Sequence, residues 1–437
     1  MNTIPDPATT QAPTQAAASP AAAGQDGPAD AATTIRAVSG EELLTTAYSL
    51  WAYAFQSSPV PDETVERRRT ELSSGEEDDS RVNLVAFGGG EAEAVVGGIS
   101  MRHNVRGSVF PMVGISGVAT HPGARRRGHV RTLLTRMHGQ MRDSGHVLST
   151  LYPFRQSFYE RFGYVGFPKP RHIRLEARGL ERMLRVDVPG EVSIHRIGEV
   201  FDDYYALLQT LLGERHGFSV FNRAGTVGVA KENKHWIALA RHEGEIVGAL
   251  LYRTNGFGEE LQGQQLLTRG PIGRTLLLQW LARHHDQYSS FTFQLPPDER
   301  PDLWYVDIAY DDETKVSGPN HSAAMGRVLS VPGLAGIATG GARATVEVVD
   351  DPFVAGTWTL DGRGGTLEVT SGSAFGGNGA GTGATARLTS HGLAALVYGV
   401  IDPAELMLQG YGTVDAETAQ ALRTIFPPAA PYLFSGF

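Results

Sequence analysis

The chain of 437 residues contains no cysteine. That excludes disulfides, cysteine-ligated metal and a cysteine nucleophile, and leaves the compartment open. No run of 18 apolar residues occurs, so nothing reads as a membrane-spanning helix. A basic-then-apolar leader is also missing at the N-terminus, and a cytoplasmic protein is expected. Basic residues are in the minority, 38 Lys+Arg against 47 Asp+Glu for a net charge of −9. This argues against nucleic-acid binding and is compatible with a cationic small-molecule partner, although the imbalance is ordinary at this length. The 14 histidines show no HExxH spacing and no i,i+4 pair with a third ligand, so no metal site is expected. Walker-type loops and serine-hydrolase elbows are absent too, since no Gly-Lys-Ser/Thr and no Gly-x-Ser-x-Gly occurs.

What is present is 41% apolar residues with scattered charge, enough for about three soluble domains. Residues 1–34 are Ala, Pro, Gln, Thr and Gly with no large apolar side chain after Ile4. Such a segment buries too little surface to offset its ordering entropy and reads as a disordered extension. Residues 67–80 form a charged loop. The middle of the chain repeats the order of the first part: VNLVAF, a turn and VVGGISM are echoed by HWIALA, a Glu-Gly-Glu turn and IVGALLY. Arg131-Thr132-Leu133-Leu134 is echoed by Arg274-Thr275-Leu276-Leu277. From about Gly326 the style changes to alternating strands (ATVEVV, GTWTL), a Gly-rich run at 371–383 that reads as a hairpin tip, and helices at 391–400 and 414–425. The expected fold class is α+β.

The most informative stretch is VATHPGARRRGHVR, residues 118–131. An apolar strand (112–119) meets a turn at Pro122-Gly123, then three arginines, Gly128, and a segment with Val130, Leu133, Leu134, Met137 and Met141 on one helical face. Free amides at a helix N-terminus, the positive end of its dipole and a close approach at glycine suit a pyrophosphate. A solvated basic turn is the alternative. In the echo only Arg269 remains, and Pro271 removes an amide, so the second copy should have lost this site.

The loop resembles the acyl-CoA loop of the GCN5-related N-acetyltransferases (GNATs), Gln/Arg-x-x-Gly-x-Gly/Ala, with Arg125 and Gly128 matching and Val130 at the third position. About 30 residues on, after a strand at 146–152, stands Phe158-Tyr159-Glu160-Arg161-Phe162-Gly163-Tyr164, similar to the Phe/Tyr-Tyr-x-x-x-Gly-Tyr/Phe segment of the same superfamily. Together these look like the enhanced intracellular survival (Eis) family, over residues 35–437. The resemblance implies a catalytic GNAT domain (35–178), a degenerate GNAT-like domain (179–325) and a domain similar to sterol carrier protein (326–437). It implies acetyl-CoA as co-substrate, with the backbone of Val118, Ala119 and Thr120 along the pantetheine arm. Arg126, Arg127, Gly128, His129, Val130 and Arg131 would lie at the pyrophosphate, with Phe154 and Arg155 as further contacts. Homohexamers, as dimers of trimers, are implied as well.

The resemblance makes Tyr159 the general acid. A phenol with an ordinary pKa of about 10 stays protonated at neutral pH and can donate to a departing thiolate. The alternative is one more core aromatic beside Phe154, Phe158 and Phe162. The apolar last segment, PYLFSGF, should dock into the protein and carry its carboxylate along; the resemblance makes that carboxylate, on Phe437, the general base, against a plain packing plug. The implied acceptor is a small-molecule amine, aminoglycoside-like or of polyamine or lysine type. Ser57 and Gly436 stand where some relatives place acids, which weakens the case for polycations; Trp51, Phe55 and Phe110 offer an apolar pocket instead. A second function remains open, a non-catalytic protein holding an apolar ligand in the last domain.

Overall fold

The computed structural model describes residues 33–55, 69, 80–314, 323–372 and 385–437. Most of the N-terminal extension, the charged loop and the Gly-rich run, together with Ser57, lies outside the described residues.

The first domain runs β1 (Thr34–Ala37), α1 (Gly40–Thr45), α2 (Tyr48–Phe55), β2 (Arg81–Gly88), β3 (Glu91–Val105), β4 (Ser108–Thr120), α3 (His129–Asp143), β5 (Leu148–Leu151), α4 (Gln156–Glu160) and β6 (Val165–Gly166). β1 to β4 are antiparallel, whereas β5 runs parallel to β4 because α3 carries the chain back across the sheet. The sequence spacing of α3 holds: Leu133, Leu134, Met137 and Met141 are buried against the sheet with Leu84, Val96, Val113 and Ile115. Each such side chain contributes about 1.5–3 kcal/mol on leaving water. The helix stops at Ser144, whose amide turns back to the Gln140 and Met141 carbonyls, and Gly145 takes φ +90°.

The second domain contains β7 (Arg171–Glu176), β8 (Glu191–Arg196), α5 (Phe201–Glu214), β9 (Ser219–Phe221), α6 (Arg223–Thr226), α7 (Gly228–Glu232), β10 (Trp236–His242), β11 (Glu245–Thr254), β12 (Glu260–Thr268), α8 (Gly270–Ala282), β13 (Ser290–Leu295) and β14 (Tyr310–Glu313). Its sheet, ordered β14-β7-β13-β12-β11-β10-β8, repeats the first: four antiparallel strands, then a parallel neighbour reached through a helix. The two copies are tandem GNAT-like units. The third domain starts from β15 (Met325–Val328) and continues β16 (Arg343–Val348), β17 (Gly356–Asp361), β18 (Glu368–Ser371), β19 (Thr385–Leu388), α9 (Ser390–Tyr398), β20 (Gly412–Val414) and α10 (Ala416–Ile425), with sheet order β18-β17-β16-β19-β20.

Three strands depart from the boundaries drawn on the sequence. β7, expected within 35–178, pairs with β13 and β14 in the second sheet. β15, at the start of the third domain, inserts between β5 and β6 of the first sheet. β9, from the second domain, pairs with β3. β15 and β9 thus each pair with a strand edge of another unit. The third domain buries its apolar side chains against the first sheet in one continuous core, joining Ile99, Met112 and Phe167 to Leu393, Leu396 and Tyr398.

Candidate functional site

The site begins where β4 and β5 part. They are paired from Met112↔Leu148 to Ile115↔Leu151, and β4 then continues alone through Thr120. On its other side β4 bulges against β3, since Val95 faces Ala119 but Gly97 faces Ser116. Gly117 sits in the bulge at φ +58°. A Cβ there would meet the Trp51 indole nitrogen at 2.7 Å, and that nitrogen donates to the Gly117 carbonyl. Trp51 is therefore a brace for the bulge, not a wall of an open pocket. Phe110 packs half-buried against the shared core, and Phe55 is exposed. Val118, Ala119 and Thr120 lie on the strand edge that β5 has left, as a pantetheine-binding edge requires.

Beyond Thr120 a short turn, Pro122–Ala124, leads into Arg125, Arg126, Arg127 and Gly128. Arg126 is left-handed at φ +69° and Gly128 at φ +88°. For a non-glycine residue that conformation costs about 1–2 kcal/mol, and here it turns successive amides to one side. Among the described residues no protein acceptor receives the amides from Arg126 to Arg131, and α3 starts its own ladder at Thr132. Six free amides at the positive end of a 15-residue helix form an anion cradle. Arg125, Arg126 and Arg131 are exposed around it. Arg127 and His129 face elsewhere: Glu93 holds Arg127 at 2.9 Å and the buried His129 ring at 2.8 Å, tying the loop to the β2–β3 turn. Their side chains support the loop, and the backbone of His129 remains free for a ligand.

The second copy has no such cradle. Arg269 is paired with Glu214, Pro271 occupies the first turn of α8, and a Cβ on Gly273 would stand 1.9 Å from the Val247 carbonyl. α8 thus lies directly on β11.

Tyr159 is carried by α4, and only 3% of it is exposed. Its ring meets Phe154 at 5.7 Å, Phe158 at 5.0 Å and Tyr164 at 6.2 Å, inside the core beneath α3. Burial pushes the phenol's pKa up, so its hydroxyl stays protonated at neutral pH. Phe154 is half exposed and Arg155 is exposed, in the segment between β5 and α4.

The final segment docks. Tyr432 enters the second domain's core and Leu433 the core shared by the first and third. Phe434 stacks on Phe218 at 4.6 Å, and Ser435 donates to the Ser219 carbonyl at 2.9 Å. The Phe437 ring covers Gly114, where a Cβ would meet it at 2.9 Å, and stands edge-on to Tyr152 at 5.5 Å and to Phe221 at 6.3 Å. Tyr152 donates from its hydroxyl to the tail at 3.2 Å, toward the Leu433 or the Ser435 carbonyl. Residue 437 thus lies at the last β4–β5 pairs, the point at which the strands separate. Next to it a cavity of about 550 Å³ is lined by Tyr152, Phe167, His172, Gln265, Gln294 and Gly436, with walls from the first two domains and the tail. Glu93, Gly114 and Tyr152 had no motif to mark them in the sequence. Gly117, within ISGVAT, had only its glycine.

The parted strands, the bulge and the amide cradle define a GNAT fold, and residues 34–166 match the family described as acetyltransferase (GNAT) domain. Residues 337–434 match the sterol carrier protein domain family. The N-acetyltransferase Eis of Mycobacterium bovis and that of Mycobacterium tuberculosis are each 36% identical over 85 residues, which is 18% of this chain and 21% of theirs. The aligned part therefore spans about a fifth of those relatives. Among solved structures, Eis1 from Mycobacterium abscessus superimposes over 92% of this chain and 100% of its own at TM-score 0.69 and 16% identity. A GCN5-related N-acetyltransferase from Kribbella flavida covers 93% and 99% at TM-score 0.72 and 22% identity. The first domain is thus similar to GNAT acetyltransferases, and the chain shares its fold with Eis-type proteins.

Proposed function

We propose that this chain is an acetyl-CoA-dependent N-acetyltransferase for amino groups of small molecules. The observation that carries the reading is the row of free amides from Arg126 to Arg131 at the end of the strand that outruns β5, with residue 437 at the point where β4 and β5 part. GNAT domains use acetyl-CoA in general, and the donor set here fits it: backbone N–H groups and exposed arginines for a pyrophosphate, an unpaired strand edge for an amide-bearing arm. When bound, that co-substrate supplies the acetyl group as a thioester. Tyr159, kept protonated by burial, donates its proton to the leaving sulfur. The α-carboxylate on Phe437 takes the proton of the attacking amine, its place fixed by the ring seated on Gly114. The cavity beside Gly436 is the proposed room for the acceptor. The apolar-ligand alternative has less support, because the described interior of the third domain is filled by its own Val346, Leu360, Leu388 and Leu396.

Acetyl-CoA consumption with a panel of amines, including aminoglycosides, polyamines and lysine-type compounds, tests the proposal. One glycine added after Phe437 moves the carboxylate by up to about 3.8 Å, and misplacement of about 1 Å already costs about 100-fold. The extended protein should bind coenzyme A normally and lose about that factor or more, while Phe437→Leu loses much less. Undiminished turnover in the extended protein would rule out the carboxylate as base.

A further inference from the structure

The turn that carries Tyr159 is held from outside its own domain. His391, at the start of α9, reaches the Glu160 carbonyl through Nε2, and Tyr411 donates to Glu160 Oε1 at 3.1 Å. The two rings are stacked at 5.2 Å and 10°, so they act as one slab. Asp350 lies behind it, taking the Ser390 amide at 2.7 Å and standing 3.9 Å from His391 Nδ1. Gly163, at φ +79°, closes the turn against Ser390, leaving no space for a side chain.

A second hold comes from Arg327 on β15, which is 2% exposed. Its guanidinium pairs with Asp351 at 2.8 Å, donates to the Phe162 carbonyl and approaches His138 Nδ1 at 3.4 Å. A guanidinium can only donate, so Nδ1 accepts and the proton of the neutral ring sits on Nε2. That Nε2–H points at the Tyr164 hydroxyl at 2.7 Å; Tyr164 then donates to Ser149 at 2.6 Å, and Ser149 to the Val113 carbonyl at 3.0 Å. Every proton in the chain has one direction, set by the arginine. Burial and Arg327 both keep His138 uncharged, in agreement with this order.

We propose that the third domain is a clamp that positions Tyr159, acting through the Tyr411–His391 slab on Glu160 and through Arg327 on Phe162. Resting on the acetyl-transfer reading above, it assigns the sterol-carrier-like domain a part in proton delivery rather than in carrying a ligand. Tyr411, His391 and Arg327 are positioning residues, since none of them reaches the reacting atoms. A helix of five residues has little rigidity of its own, and the outside contacts supply it.

The test uses the full chain with 3-fluorotyrosine placed at position 159, in the wild type, Tyr411→Phe and Tyr411→Phe/His391→Leu. Tyr411→Phe removes one oxygen atom and keeps the stack, so it remains informative if the double variant does not fold. The expected result is a displaced or broadened fluorine resonance with coenzyme A affinity retained. In turnover, kcat should fall by about 10- to 100-fold with KM for acetyl-CoA little changed, as a misplaced catalytic group predicts. An unmoved resonance overturns the clamp, and a displaced resonance with wild-type kcat overturns its positioning role. If the wild type acetylates no amine, the acetyl-transfer reading fails and the resonance alone judges the clamp.

Discussion

Tyr159 has the two properties a proton donor to sulfur needs, a hydroxyl and a surrounding that keeps it protonated. Replacing it with phenylalanine preserves the ring contacts to Phe154, Phe158 and Tyr164, so the fold and coenzyme A affinity should survive. Turnover should fall by about 100- to 10,000-fold, the usual worth of a positioned acid; a single-turnover measurement showing less than a tenfold change would remove Tyr159 from the reaction. A second expectation concerns histidines outside that reaction. Burial pushes His103 down to about 3 and His216 to about 4, and His138 is also held well below its ordinary value. The unfolded chain protonates all three near pH 6.5 while the folded chain does not, so protons favour unfolding. Stability is therefore full above pH 6.5 and drains as the pH falls. Each histidine should cost about 2 kcal/mol between pH 7 and pH 5, a range in which most carboxylates remain ionised. Urea midpoints measured at pH 7, 6 and 5 should fall steadily, and a flat profile would mean that these rings are not buried neutral.

At the scale of elements, the bulge in β4 and the start of α3 do most to shape the site. Gly117→Ala places a methyl group against the Trp51 indole in a left-handed backbone. It should weaken coenzyme A binding and lower stability by more than the roughly 1–2 kcal/mol of the backbone term alone. Gly213→Ala is the control: it lies near the end of α5 with nothing within 4 Å of the new methyl, and should be neutral or stabilising by up to about 1 kcal/mol. Calorimetry on both variants separates bulge strain from a general intolerance of alanine. These local elements were also the legible ones. The α3 periodicity, the turn at Pro122-Gly123 and the arginine-glycine loop are contiguous in sequence, and so the residue pattern carried them. The docking of the last segment was readable from its apolar composition. The brace role of Trp51 was not, because an indole bonding to a carbonyl 66 residues away leaves no local mark. Arg127 looked like one of three equivalent arginines until Glu93 across the hairpin claimed it.

At the scale of the molecule, the boundaries were the least legible feature, for a related reason. β9 and β15 have three and four residues, too short for a pattern, and their partners lie in another domain. β7 alternates well (RHIRLE), but alternation says that a strand has a buried face and not which sheet it joins. A piece ending at residue 170 should therefore be a poor domain. It lacks β15 between β5 and β6, lacks β9 beside β3, and leaves Ile99, Met112 and Phe167 uncovered. Such a piece should aggregate or unfold without a cooperative transition. A soluble piece with a sharp melting transition would contradict the sheet assignments.

The place of β15 also bears on how the protein is made. From Gly166 to Met325 the ribosome must add about 160 residues, which at roughly 5–20 residues per second takes about 8–30 s. Through that interval the nascent first sheet has β5 exposed along one edge, with its apolar underside bare. The second domain is synthesised meanwhile and offers similar strands to that same edge. Fidelity of synthesis should then depend on what shields β5 until its true partner emerges. Folding yield in a cell-free system should respond to chaperones that hold the emerging chain far more than refolding of the finished protein does.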